Sequence, residues 1–138
     1  FADPSARIIT AFARVGLSGD FGGSWFLTRL VGPAKAKELY LSSPSVESEE
    51  AMRLGILNRI FEADVLAKET QQFAAQLAAG PRIALAHMKR NLNAAETGDL
   101  GSLLDLEAIH HARCGMTEDH LEAAKAFVEK RKPIFKGR

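Results

Sequence analysis

From Asp64 to Pro133 apolar residues recur at helical spacing almost without a break. That periodicity commits half of the chain to packed helices and leaves little sequence from which to build a sheet. Leu66, Thr70, Phe73, Leu77 and Ala78 form one face after Asp64, read as an N-cap, and Gly80-Pro81 ends that segment. Ile83, Leu85, Met88, Leu92 and Ala95 mark a second helix from Pro81 to Gly98. Leu103, Leu106, His110 and Cys114 trace a third, closed by Gly115. Thr117-Glu118-Asp119 sets a capping hydroxyl ahead of two negative charges at the positive end of a helix dipole, so a fourth helix starts there. Its apolar side is Leu121, Ala124, Phe127 and Val128, and Pro133 stops it.

The first part of the chain has a different character. Ala6 to Ala13 is short, rich in β-branched residues and bounded by Pro4 and Gly16, which reads as one strand or two very short ones. Gly55 to Phe61 reads as another strand, after a short helix from Ser48 to Leu54 that uses Gly55 as its C′ residue. A helix from Pro33 to about Leu41 lies between them. The expected fold is therefore mainly α with a small α/β corner over residues 1–62, followed by an all-helical region over 63–138. Two strands make a marginal sheet on their own. Together with a first residue, Phe1, that is not methionine, this leads us to expect a truncated or processed start whose strands complete a sheet supplied by something else.

The corner carries one carboxylate in a distinctive setting. Asp20 stands on a turn rich in glycine (Gly16, Gly19, Gly22, Gly23), which permits positive φ and close backbone approach. Ser24 can cap the helix that follows, carrying Trp25, Phe26, Leu27, Leu30 and Val31. Two readings are open at this point: Asp20 satisfies turn amides, or it works as an acid or base held at a strand-to-helix junction.

Eighteen basic and seventeen acidic side chains give a net charge of +1, so no field of one sign is available for nucleic acid. A single cysteine, Cys114, excludes an internal disulfide. With no signal-like or membrane-spanning apolar segment, a cytoplasmic protein is expected. His110 and Cys114 share a helix face next to His111, but no second pair with ligand spacing accompanies them, and no metal site is expected. His87 and His120 read as exposed or capping residues. Ser24 lacks the GxSxG context of a nucleophile.

An ordered set of motifs spans the chain: Val15-Gly-Leu17, Gly22-Gly23, Leu27-Thr-Arg-Leu-Val-Gly32, Glu49-Glu-Ala-Met-Arg-Leu-Gly55-Ile-Leu-Asn58, Gly80-Pro81 and Ala126-Phe-Val-Glu-Lys-Arg-Lys-Pro133-Ile-Phe-Lys-Gly-Arg138. Together they resemble the C-terminal half of the enoyl-CoA hydratase/isomerase family, the crotonases. The resemblance implies the end of a ββα spiral core plus a helical trimerisation region. It also implies that the N-terminal half, with both oxyanion-hole amides, has no counterpart here and acts as a missing partner. The implied substrate is an unsaturated acyl-CoA thioester. No separate cofactor is implied, because coenzyme A is part of the substrate.

Family members polarise the thioester carbonyl with two backbone amides, and carboxylates then move protons. Hydratases use two glutamates. Aligned through Gly22-Gly23, the second of them falls at Phe12, which carries no proton. Asp20 falls where several isomerases of the family carry an acid, so the resemblance implies a catalytic Asp20. Burial beside Phe12, Phe21, Trp25 and Phe26 would raise its pKa toward a useful value. Trp25 is expected to wall the acyl pocket or to pack on a helix. Lys136, in the basic end with Lys130-Arg-Lys132, is expected near the CoA nucleotide phosphates or simply as a solvated helix end, with Phe135 beside it. A noncatalytic helical assembly module, forming trimers or hexamers, is the competing expectation, as is a hydratase once the enzyme is complete.

Overall fold

The computed structural model describes residues 1–138. They divide into two compact units, Phe1–Gln72 and Phe73–Arg138, with the division inside helix α3, Ala63–Ala78.

In the first unit β1, Arg7–Ile8, pairs antiparallel with β2, Val46–Glu47, with Arg7 opposite Glu47 and Ile8 opposite Val46. The expected strand over 6–13 is thus cut short. Residues Ala11–Val15 form a 3-10 helix instead, ended by Gly16 in the left-handed region. The partner strand offers only two residues of ladder, and Ala-Phe-Ala-Arg has no reason to stay extended once pairing ends. The expected strand over 55–61 also contracts, to a single parallel bridge between Ile60 and Ala2.

Helix α1, Gly23–Ser42, is two helical segments meeting at Gly32, whose φ of 77° and ψ of 162° break the helical path just ahead of Pro33. Its N-cap is Gly22 without a side-chain bond, so Ser24 lies inside the helix and is not its cap. Helix α2, Ser48–Arg53, follows β2 directly and is closed by Gly55 at positive φ, as its sequence implies. Leu39, Val46 and Ala51 are buried together, with Ile8, Leu27, Val31, Leu54, Ile56 and Leu57 packed against them. Three polar contacts fasten the 3-10 segment to the end of α1. Thr10 Oγ1 donates to Leu39 O at 2.6 Å, Ser43 Oγ donates to Thr10 O at 2.7 Å, and the Arg14 guanidinium donates to Ser43 O. Asp64 lies in the first turn of α3 and not at its cap.

The second unit contains α4, Arg82–Ala95, α5, Leu100–Gly115, and α6, Glu118–Val128. Asp99 caps α5 by accepting from Ser102 N, and Thr117 caps α6 by accepting from His120 N. Helix α5 packs on both α4 and α6. Residues beyond Val128 continue without regular structure and return along α6. No helix is long and apolar enough to cross a membrane.

Candidate active site

The turn between the 3-10 segment and α1 is built from three residues at positive φ: Gly19 at 113°, Phe21 at 47° and Gly22 at 73°. Gly23 N donates to Asp20 O at 2.9 Å and closes it. The Asp20 carboxylate takes part in none of these bonds, and α1 begins without a side-chain cap. Of the two readings of Asp20, the one in which its side chain satisfies turn amides is therefore not realised. The apolar enclosure expected around it is absent as well. Asp20 is exposed and Phe21 is 96% exposed, because the left-handed backbone at Phe21 projects its ring into solvent.

Phe12 is half-buried, and its ring stacks on Tyr40 with centroids 6.0 Å apart. Tyr40 is a site residue that the sequence reading missed. A Cβ on Gly23 would lie 2.5 Å from its hydroxyl, and one on Gly19 would lie 3.1 Å from its ring, so the glycine turn is seated on this side chain. Its position next to Leu39 and four residues after Ala36, both buried in α1, was the available signal. Trp25, 38% exposed, stands edge-on to Phe26 at 4.9 Å and carries the Arg29 guanidinium 3.4 Å above its ring. The first unit thus brings Phe12 and the glycine turn that carries Asp20 together on Tyr40, while the contacts of Trp25 are with Phe26 and Arg29.

Lys136 lies in the second unit, on the returning tail. Its side chain is exposed, and its backbone N–H donates to Asp119 Oδ1 at 2.6 Å. Glu118, Glu122, Arg131, Lys132, Ile134 and Lys136 contribute to a groove of about 420 Å³. Its acids are engaged. Glu122 bonds Arg131 at 2.5 Å, and hydrogen bonds from Arg131 and then from Ile134 N hold its carboxyl down at about 2. Glu118 pairs with Arg138 at 3.0 Å. The ammonium groups of Lys132 and Lys136 have no carboxylate ion-pair partner, and Asp119, which also lines the groove, is met only by backbone N–H groups.

Among the histidines His87 departs from expectation, while His120 is exposed. His87 is buried, 9% exposed, and stacks on His110 with ring centroids 4.0 Å apart. His110 Nδ1 bonds Asn91 Oδ1, while His87 Nδ1 has no partner. Desolvation, followed by the neighbouring His87, Arg113 and Arg90, pushes the His110 pKa below its ordinary value. No group of three or more His, Cys, Asp or Glu side chains is placed to hold a metal ion.

Residues 1–138 match the family model described as enoyl-CoA hydratase/isomerase. The chain belongs to that family. It is 37% identical over 134 residues to 1,2-epoxyphenylacetyl-CoA isomerase of Escherichia coli K12, covering 97% of this chain and 51% of that protein. It is 30% identical over 131 residues to short-chain-enoyl-CoA hydratase of Clostridium acetobutylicum, covering 95% of this chain and 50% of that one. Among solved structures, an enoyl-CoA hydratase from Polaromonas sp. JS666 superposes with a TM-score of 0.92 at 31% identity, covering 97% of this chain and 52% of the other. The chain spans about half the length of these relatives. Its architecture is thus that of part of a crotonase fold, mainly helical with a minimal two-stranded sheet.

Proposed function

We propose that the chain is the C-terminal portion of an isomerase acting on unsaturated acyl-CoA thioesters, with Asp20 as its general acid/base. The observation that carries this reading is the carboxylate of Asp20, held on a backbone seated against Tyr40 yet taking part in no bond of its own turn. A carboxylate so placed can accept a proton from one carbon of the acyl chain. The C–H bonding pair then passes into the thioester enolate, and the same proton returns to a different carbon as the double bond moves. Phe12 lines the site at the position where a hydratase has its second glutamate, so water is not activated there. Trp25 walls the acyl chain; Lys136, on a tail that in this family often comes from the neighbouring subunit, meets the phosphates of coenzyme A, which enters as part of the substrate and not as a separate cofactor.

The oxyanion-hole amides and the apolar cover that Asp20 lacks in this chain come, on this reading, from a missing N-terminal half. The 138-residue chain alone is then inactive. The setting is cytoplasmic and the assembly a trimer or hexamer. Asp20→Asn in the complete enzyme should lower kcat for a 3-enoyl-CoA by about 10²- to 10⁴-fold. Unchanged turnover would remove Asp20 from the mechanism, and efficient hydration of crotonyl-CoA would favour the hydratase reading. One observation supports the second reading, a noncatalytic assembly module: apolar side chains of α5 and α6, including Leu100, Leu104, Leu121 and Phe127, are exposed.

A further inference from the structure

Asp119 is the second residue of α6 and is 3% exposed. It forms no ion pair. Its carboxylate oxygens accept the backbone N–H of Lys136 at 2.6 Å and of Gly137 at 2.9 Å, and its own N–H donates to Arg138 O at 3.2 Å. A carboxylate is tolerated at such burial where charge-assisted bonds satisfy both oxygens, and here both bonds come from the tail. Arg82 of α4 holds the same segment from another side, donating from Nε to Gly137 O at 3.0 Å. Gly137 has a φ of 73°, and a Cβ there would lie 2.1 Å from Arg82 Nε, so both the backbone and the available space select glycine. Three consecutive residues without regular secondary structure are thus fixed in place by their backbones. The Lys136 side chain stays free to meet an anion.

We propose that Asp119 is the positioning residue of the chain's phosphate-binding end: by gripping the backbone of Lys136 and Gly137 it fixes the point from which the Lys136 side chain reaches the nucleotide. The role rests on the reading of Lys136 as a ligand of coenzyme A phosphates. Pre-ordering matters because a lysine on a loose tail loses rotamer and chain freedom on binding, and that loss is subtracted from the phosphate contact.

The test is calorimetric titration of the complete protein carrying this segment with two probes: coenzyme A, and pantetheine, which lacks the nucleotide and its phosphates. Asp119→Asn replaces one acceptor oxygen with an amide that faces an N–H. It should raise the Kd for coenzyme A about tenfold and leave that for pantetheine unchanged. Gly137→Ala loosens the same tail from the Arg82 side and should give the same selective loss. It keeps the proposal testable if Asp119→Asn does not fold. Adding Lys136→Ala to Asp119→Asn should change the Kd by no more than about twofold, since both act through one contact. Unchanged coenzyme A affinity in both variants, or equal weakening toward both probes, overturns the positioning role. Unchanged coenzyme A affinity in Lys136→Ala alone overturns the underlying reading of that lysine.

Discussion

In the first unit Leu39, Val46 and Ala51 are buried together under a layer of further aliphatic side chains. In the second the buried side chains are His87, His110 and Asp119, with Ala126 the lone apolar member. At the surface both units expose large apolar side chains, with Phe21 at 96% and Leu41 at 78% in the first; in the second the exposed ones run along the helices. Leu92, Leu100 and Leu121 are exposed, and Phe127 is 85% exposed. An amphipathic helix owes most of its stability to cover over its apolar face, and no part of this chain covers these faces. The first unit is therefore organised by apolar burial around a short corner. The second joins α4 and α5 through the His110–Asn91 contact and leaves apolar side chains of α4, α5 and α6 exposed. The difference teaches that helical periodicity marks which face is meant to be buried without saying that the same chain buries it.

Removing apolar volume from the first unit should have the largest effect. Leu39→Ala should cost about 3 kcal/mol, read by urea unfolding through the fluorescence of Trp25, the only tryptophan. Amide exchange protection in the second unit should not change, and a loss there of equal size would erase the distinction between the units. Gly23→Ala comes next, at about 2 kcal/mol, because the new Cβ would lie 2.5 Å from the Tyr40 hydroxyl. Adding Tyr40→Phe removes that oxygen and leaves the ring carbon Cζ at 3.8 Å, so the double variant should recover most of the loss. A double variant as unstable as Gly23→Ala would show that the turn is not seated on Tyr40.

The smallest effect is a pH dependence confined to the second unit. The His110 pKa is lowered in the folded state, so the unfolded chain binds the proton more readily. The stability this neutral ring contributes is fully present above its ordinary value near 6.5 and is lost as pH falls below it. Exchange protection of α4 and α5 amides should decline between pH 7.5 and pH 5.5, after correction for intrinsic rates. His110→Phe should flatten the profile, and a parallel decline in the first unit would break the comparison.

The helices of the second unit were legible because their signals are local: Thr117 before two acids, Gly98 and Gly115 after apolar runs, and a regular period between them. What escaped the sequence depends on partners far along the chain. The strand over 6–13 shortened because β2, which pairs with it, is two residues flanked by Ser45 and Ser48 and carries no periodicity of its own. His87 was misplaced because its burial comes from stacking against His110 on another helix. Asp119 was read as a first-turn acid, which is correct as far as local spacing reaches. Its bonds to Lys136 and Gly137 depend on a return of the chain that no motif announces. Around Asp20 the glycines foretold a positive-φ turn. The direction in which Phe21 points, and hence the exposure of the carboxylate, did not follow from them.

The break in α1 selects its residue by handedness alone. Gly32 combines a φ of 77° with a ψ of 162°, and a Cβ built on it meets no atom within 4 Å. Room is not what excludes other residues. The mirror image of that conformation is close to extended backbone, so the backbone angles themselves suit a D-residue, whereas an L-alanine would be strained there in spite of the open space. At this one position the fold distinguishes two molecules of the same composition, and the path of the chain into Pro33 is in that sense a chiral choice.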